Sequence, residues 1–297
     1  MDRGAFIGAA LSAVALGPLG PPAGWHGTNA GMRAIIPFDT APFPHASRAS
    51  GHTYDNKVYD AATHYGDSSV GLFVPKGFVA RDTVEYVVHF HGWNNNVADV
   101  FARYKLAEQF EGSGLNAILV VPQGPLNAPD SGDGKLELDD NGFARFIADI
   151  TRYLQNQQIL TSPTIGNIAL SAHSGGYGGL GGVLTRGGMN DHISDVMLFD
   201  AGYGYFEAIA AWAKTSPQHH LLSIFTDDTS TGNTALMGML QEPKPNIYVR
   251  LASTMTLEQL QARAPTFLLT TDVAHDELMQ KFSWYQLFLQ TTALNRR

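Results

Sequence analysis

The residues best suited to chemistry in this chain lie in one short stretch, Ala172-His173-Ser174-Gly175-Gly176. A mostly apolar run, Ile165 to Leu170, leads into it, and a glycine-rich, helix-compatible stretch follows. A serine on such a strand-to-helix turn is held at the tip of a tight bend, where its hydroxyl can act as a nucleophile. Small residues two before and two after it, Ala172 and Gly176, leave room for the bend, and the next helix brings its positive N-terminal end close. The same composition suits a structural loop after a buried strand. It also suits a phosphate cradle at a helix start, although the lysine such a cradle uses is missing.

A second group is Val88-His89-Phe90-His91-Gly92-Trp93-Asn94-Asn95-Asn96, directly after an apolar run. Imidazoles two residues apart on a strand share a face, so His89 and His91 raise a metal-site reading. No third ligand stands in an obvious partner position and no helical His-Glu-x-x-His pattern occurs, so no metal is expected and His89 is given a local structural role.

These groups need a scaffold, and the runs that supply it alternate in type. Strands are predicted at residues 70–74, 86–90, 117–121, 165–170, 195–199, 221–225 and 266–270. Several lack polar alternation, as strands covered on both faces do. Helical spacing of apolar residues marks 97–110, 142–156, 205–213 and 257–262, and residues 276–294 read as a closing helix. The expected class is α/β, a mostly parallel central sheet with helices on both faces, in which ligands lie beyond the carboxyl ends of the strands. The acidic, glycine-bearing segment 127–142 reads as a surface loop.

Composition narrows the function. With 44% hydrophobic and 15% charged residues, 31 glycines and 15 prolines, the chain is a folded, loop-rich globule, and its 297 residues suit one domain over 24–297. A formal net charge of -8 without any lysine-arginine cluster argues against nucleic acid as a partner. The absence of cysteine removes thiol catalysis, cysteine-held metals and disulfides. Residues 1–23 hold a short apolar, small-residue run that reads as a secretory signal peptide or an N-terminal apolar segment. The chain is therefore expected to be secreted or periplasmic, or cytoplasmic if that segment is no signal, and no stable membrane insertion is expected.

The serine turn and the His-Gly segment together resemble the α/β-hydrolase superfamily, whose nucleophile turn reads glycine-x-serine-x-glycine. Ala172 stands where the first glycine would be, as in some bacterial lipases of the superfamily. The resemblance covers roughly 59–297 and implies a cofactor-free serine hydrolase. Its chain order of serine, acid and histidine makes Ser174 the nucleophile and His275 the base, with Asp200 as acid and Asp227 or Asp228 as the alternative. Gly175 with Gly92 or Trp93 would supply the oxyanion donors, and His91, Asn94, Tyr177 and Tyr203 would line the substrate pocket. A small-molecule or polymeric carboxylic ester is the expected substrate. Amide or peptide cleavage by the same three residues, and a non-catalytic binding protein on this fold, are the alternatives, and the oligomeric state is left open.

Overall fold

A computed structural model describes residues 21–161, 163–241, 244–261 and 264–297. The apolar run of residues 1–16 lies outside the described residues. Among the described residues twelve strands follow in chain order: β1 (His26–Gly27), β2 (Gly31–Pro37), β3 (His52–Tyr54), β4 (Lys57–Tyr59), β5 (Ser69–Pro75), β6 (Thr83–Phe90), β7 (Ile118–Pro122), β8 (Thr164–His173), β9 (Ile193–Phe199), β10 (His220–Phe225), β11 (Asn246–Val249) and β12 (Thr266–Leu269). A 10-stranded sheet runs in the order β1-β2-β5-β7-β6-β8-β9-β10-β12-β11, with β3 and β4 forming a separate 2-stranded hairpin. From β7 to β11 every neighbouring pair is parallel, whereas β1, β2 and β5 add to the β7 edge as an antiparallel ribbon.

Both faces of this sheet are covered, which explains the strands that lacked polar alternation. Along β6, Tyr86, Val88 and Phe90 face a core shared with Phe143, Phe146, Ile147 and Ile150 of the helix Gly142–Asn156. The intervening Val87 packs on the other side with Val100, Phe101, Phe110 and the C-terminal Trp284, Tyr285 and Phe288. Alternate residues thus enter opposite cores, and both cores are apolar.

All seven predicted strands are present, but three features depart from expectation. The helix predicted over 97–110 is two helices, Val97–Arg103 and Leu106–Ser113, because Lys105 between them takes a left-handed backbone with φ 49°. The predicted closing helix over 276–294 is reduced to Trp284–Leu289, with positive φ at Phe282 and Ser283 breaking the chain just before it. Residues 127–142 are no surface loop: Ala128, Pro129 and Asp130 are buried, a helical turn forms at Lys135–Leu138, and the segment folds against the serine turn. The N-terminal lead, unexplained from sequence, contributes β2 and Arg48.

The chain leaves β6 for β7 on one side and later places β8 on the other. The carboxyl ends of β6 and β8 therefore flank the point where strand order reverses, and Phe90 pairs there with Ala172. A crevice opens at such a point in parallel sheets. The two chemical segments of the sequence emerge on either side of it.

Candidate active site

At the end of β8 the chain turns directly into a short helical turn, Ser174–Gly176, and then the helix Tyr177–Arg186. Ser174 adopts φ 52°, a left-handed conformation unusual for a residue with a side chain. The bend is crowded, by main chain at Gly176 and by the Trp93 ring at Gly175. A Cβ at Gly176 would stand 2.2 Å from the carbonyl oxygen of Phe90, and one at Gly175 would stand 2.3 Å from Cδ1 of Trp93. Glycine at both positions is thus required by contact, and Ser174 is left partly exposed at the tip.

The His-Gly segment closes in from β6. A Cβ at Gly92 would meet Cβ of Ser174 at 2.7 Å, so the Gly92 backbone lies against the serine. His91, expected from sequence to line the substrate pocket, is instead buried with both ring nitrogens engaged. Its Nε2 accepts from the backbone N-H of Gly124 at 3.0 Å and from Nε2 of Gln123 at 3.0 Å, which puts the ring proton on Nδ1. That nitrogen donates to the Gly92 carbonyl at 2.9 Å. Because a trans peptide sends its N-H opposite to its C=O, fixing the Gly92 carbonyl also fixes the N-H of Trp93, which has no hydrogen-bond partner among the described residues. Burial pushes the pKa of His91 down, so its ring stays a neutral strut.

His275 sits in a helical turn after β12, and its Nδ1 lies 2.8 Å from Oδ2 of Asp200, which directly follows β9. Asp200 has φ 48° and is fully buried. It also accepts from the backbone N-H of Thr226 at 3.0 Å, from Oγ1 of Thr226 at 2.7 Å and from Oγ1 of Thr229 at 2.5 Å. Burial alone would raise its pKa, but the bonds from His275, Thr229 and Thr226 outweigh that and hold it below the usual carboxylate value. The same bond to Asp200 raises the pKa of His275 against the opposing effect of burial. Asp227 and Asp228 are exposed in the turn after β10 and neither bonds the imidazole, although an Asp228 oxygen comes within 4.8 Å of the His275–Asp200 pair.

Ser174 Oγ makes no hydrogen bond among the described residues, but its chain neighbour His173 packs on His275 with ring centroids 4.9 Å apart and the rings tilted by 40°. Nucleophile turn and imidazole therefore share one site. His89 stands apart from this site, with Nδ1 2.8 Å from Ser171 Oγ and its ring against Tyr285. His89 and His91 have separate intramolecular partners and do not converge on a common point.

On the far side of Trp93 and Ser131, which both pack against Gly175, opens a cleft of about 320 Å³ walled by Tyr54, Trp93, Tyr177 and Tyr205 together with the charged Arg48 and Asp133. Tyr203 is exposed at the rim, 5.8 Å from the Tyr177 ring, while Asn94 is exposed on the loop beyond Trp93. Sequence reasoning missed the support of this cleft. Arg48 binds Asp130 through Nε at 2.8 Å and Nη2 at 3.0 Å, and Tyr65 donates to the same carboxylate at 2.9 Å. Arg48 is more than 80 residues from Asp130, and no local pattern pairs them. Glu137, a largely buried residue in the cleft lining, has a pKa pushed up by burial to about 7.

No protein-family model matches the chain, and no curated protein sequence matches it. Solved structures do. A feruloyl esterase module from Clostridium thermocellum, complexed with sinapinate, superposes with a TM-score of 0.51 at 12% identity over 88% of this chain and 93% of that one. A second structure, named FAE, gives 0.54 at 13% identity over 90% of each chain. Together with the sheet order, the likeness shows an α/β-hydrolase fold, as the two sequence segments implied.

Proposed function

We propose that this chain is a serine hydrolase that cleaves carboxylic esters, with Ser174 as nucleophile, His275 as base and Asp200 as acid. The observation that carries the reading is the 2.8 Å bond from His275 to a buried, multiply bonded Asp200, with His275 also touching His173, the residue next to a serine held at φ 52°. The partner on Nδ1 keeps a proton there and leaves Nε2 free to accept one. Ser174 Oγ attacks the ester carbonyl as its proton passes to Nε2 of His275. The tetrahedral oxyanion is received by the N-H groups of Gly175 and Trp93, the latter aimed by His91 through the Gly92 carbonyl. Collapse expels the alcohol, which takes the proton from His275, and water attacks the acyl-enzyme by the same route. No cofactor or metal enters this scheme.

The aromatic residues of the adjoining cleft, Tyr54, Trp93, Tyr177 and Tyr205, favour an ester with a flat portion that packs on them, while Arg48, His52 and Asp133 leave the same cleft partly polar. The likeness to a feruloyl esterase module agrees with ester chemistry. Labelling by a fluorophosphonate probe, beside turnover of short and medium p-nitrophenyl esters, tests the assignment. Both are expected in the wild type and lost in Ser174→Ala, by about 10⁴-fold or more for turnover. A folded wild type that neither labels nor turns over an ester or an anilide would overturn it and favour a non-catalytic binding protein.

A further inference from the structure

We propose that His173, braced by Tyr104, is a positioning residue that sets the direction of the His275 imidazole. The inference rests on the catalytic reading above and adds to it a residue that the reaction scheme does not use.

His173 closes β8 immediately before the nucleophile and is buried at 2% exposure. Its Nε2 lies 3.1 Å from the backbone carbonyl oxygen of His275. A carbonyl only accepts, so the ring proton is on Nε2 and Nδ1 is an acceptor. The atom facing Nδ1 is the hydroxyl of Tyr104 at 3.3 Å, which must then donate. Tyr104 is fully buried at the break between the helices Val97–Arg103 and Leu106–Ser113. One neutral ring thus fastens three segments: the serine turn, the histidine loop and a helix corner.

The loop needs fastening. His275 follows the last residue of β12 by six positions and lies in a short helical turn, with no sheet pairing to hold its main chain. The bond to Asp200 fixes the position of Nδ1, but the ring can still pivot about that contact. His173 removes that freedom twice over. It holds the His275 main-chain carbonyl, and it packs on the His275 ring at 4.9 Å with planes 40° apart. With Nδ1, the main chain and one ring face all constrained, the direction of Nε2 is determined.

His173 also suits the task chemically. Burial, and then its proximity to His275, lower its pKa to about 4. It therefore stays neutral while His275 gains a proton, and it neither competes for that proton nor repels it.

The test compares His173→Leu, His173→Gln and Tyr104→Phe with the wild type, all as the full chain and with thermal melts to confirm folding. The glutamine amide nitrogen reaches the place of Nε2 and restores the donor. The expected result for His173→Leu is a fall of about 10- to 100-fold in fluorophosphonate labelling rate and in kcat on p-nitrophenyl butyrate, with KM little changed. His173→Gln should recover most of both. In His173→Leu the acid limb of kcat/KM should also move to lower pH, because a loosened bond to Asp200 no longer raises the His275 pKa as far. Asp228 and Asp276 also face this imidazole and are unchanged in the variants, so the shift reports the Asp200 bond.

A folded His173→Leu with wild-type labelling, kcat and pH profile would overturn the proposal. Glutamine performing no better than leucine in folded protein would do the same. If leucine prevents folding, Tyr104→Phe decides: a fall of about 3-fold or more in kcat with KM kept supports the brace, and an unchanged kcat and pH profile overturns it. Failure of the wild type to label would sink the catalytic reading itself, an outcome distinct from all of these.

Discussion

Asp200 and His275 are 75 residues apart in the chain, yet their side chains meet at 2.8 Å, the carboxylate fully buried and the imidazole about a quarter exposed. This asymmetry is useful. The carboxylate keeps its charge through donors that water does not supply, while the imidazole, held by Nδ1, keeps part of its ring in reach of solvent.

The pair predicts a pH dependence. The base must be neutral to accept a proton, and its pKa is raised from the ordinary 6.5 by the bond to Asp200. The kcat/KM for an ester should therefore rise with pH, with its acid limb centred above 6.5. Folding stability has the opposite sign: the contribution from charged His275 is full below 6.5 and is lost as pH rises through the raised pKa. A pH-rate profile on p-nitrophenyl butyrate checks the first claim, and a limb centred below 6.5 would contradict it.

Thr229→Val removes one of the hydroxyl donors to buried Asp200 while keeping side-chain shape. A loss of about 1.5–3 kcal/mol of stability at neutral pH is expected, since the lost bond is to a charged group. Because Asp200 has a depressed pKa, its contribution is present above 3.8 and fades as pH falls through the folded value. The wild-type advantage in denaturant melts should accordingly shrink in acid. Equal stability of the two proteins at pH 7 would show that Thr229 does not hold this carboxylate.

Gly92→Ala places a Cβ 2.7 Å from Cβ of Ser174 and 3.1 Å from the His173 carbonyl oxygen. Neither backbone can yield without shifting the serine or the Trp93 N-H. The expected outcome is a folded protein with kcat reduced by about 100-fold, comparable to losing one oxyanion donor. Steady-state kinetics with a melt control measures it, and near-normal kcat would place the oxyanion elsewhere.

Arg48→Ala leaves Asp130 buried without its bidentate partner. Removing one partner of such a pair costs about 3–5 kcal/mol, and a melting temperature lowered by several degrees should result. The cleft wall near Ser131 should loosen with it, raising KM for the larger p-nitrophenyl esters more than for acetate. A small change in both quantities would show that the N-terminal lead does not support the cleft.

Legibility from sequence followed the range of the interaction concerned. The helix Gly142–Asn156 was legible because its apolar residues recur on one face of a single continuous turn pattern. The break at Lys105 was not, since only the packing of Val97–Arg103 and Leu106–Ser113 against the sheet imposes φ 49° there. Segment 127–142 misled for a similar reason. Its charge reads as solvent-facing until Arg48 arrives from far upstream to neutralise Asp130 and Tyr65 donates a hydrogen bond to it.

The amino-acid order by itself determined the alternation of strands and helices and the two segments that carry the chemistry, Ala172 to Gly176 and His89 to Trp93. Those features depend on residues within a few positions of one another: side-chain periodicity, and glycine where main chains must touch. It favoured Asp200 as the partner of the imidazole but kept Asp227 and Asp228 as alternatives. Only the tertiary structure decided among them, by setting β9, β10 and β12 side by side in a register that brings Asp200 under His275 and leaves the other two in solvent. It likewise gave His173 its contacts with Tyr104 and His275. Strand order and register arise from long-range pairing of surfaces, and no short stretch of sequence encodes them.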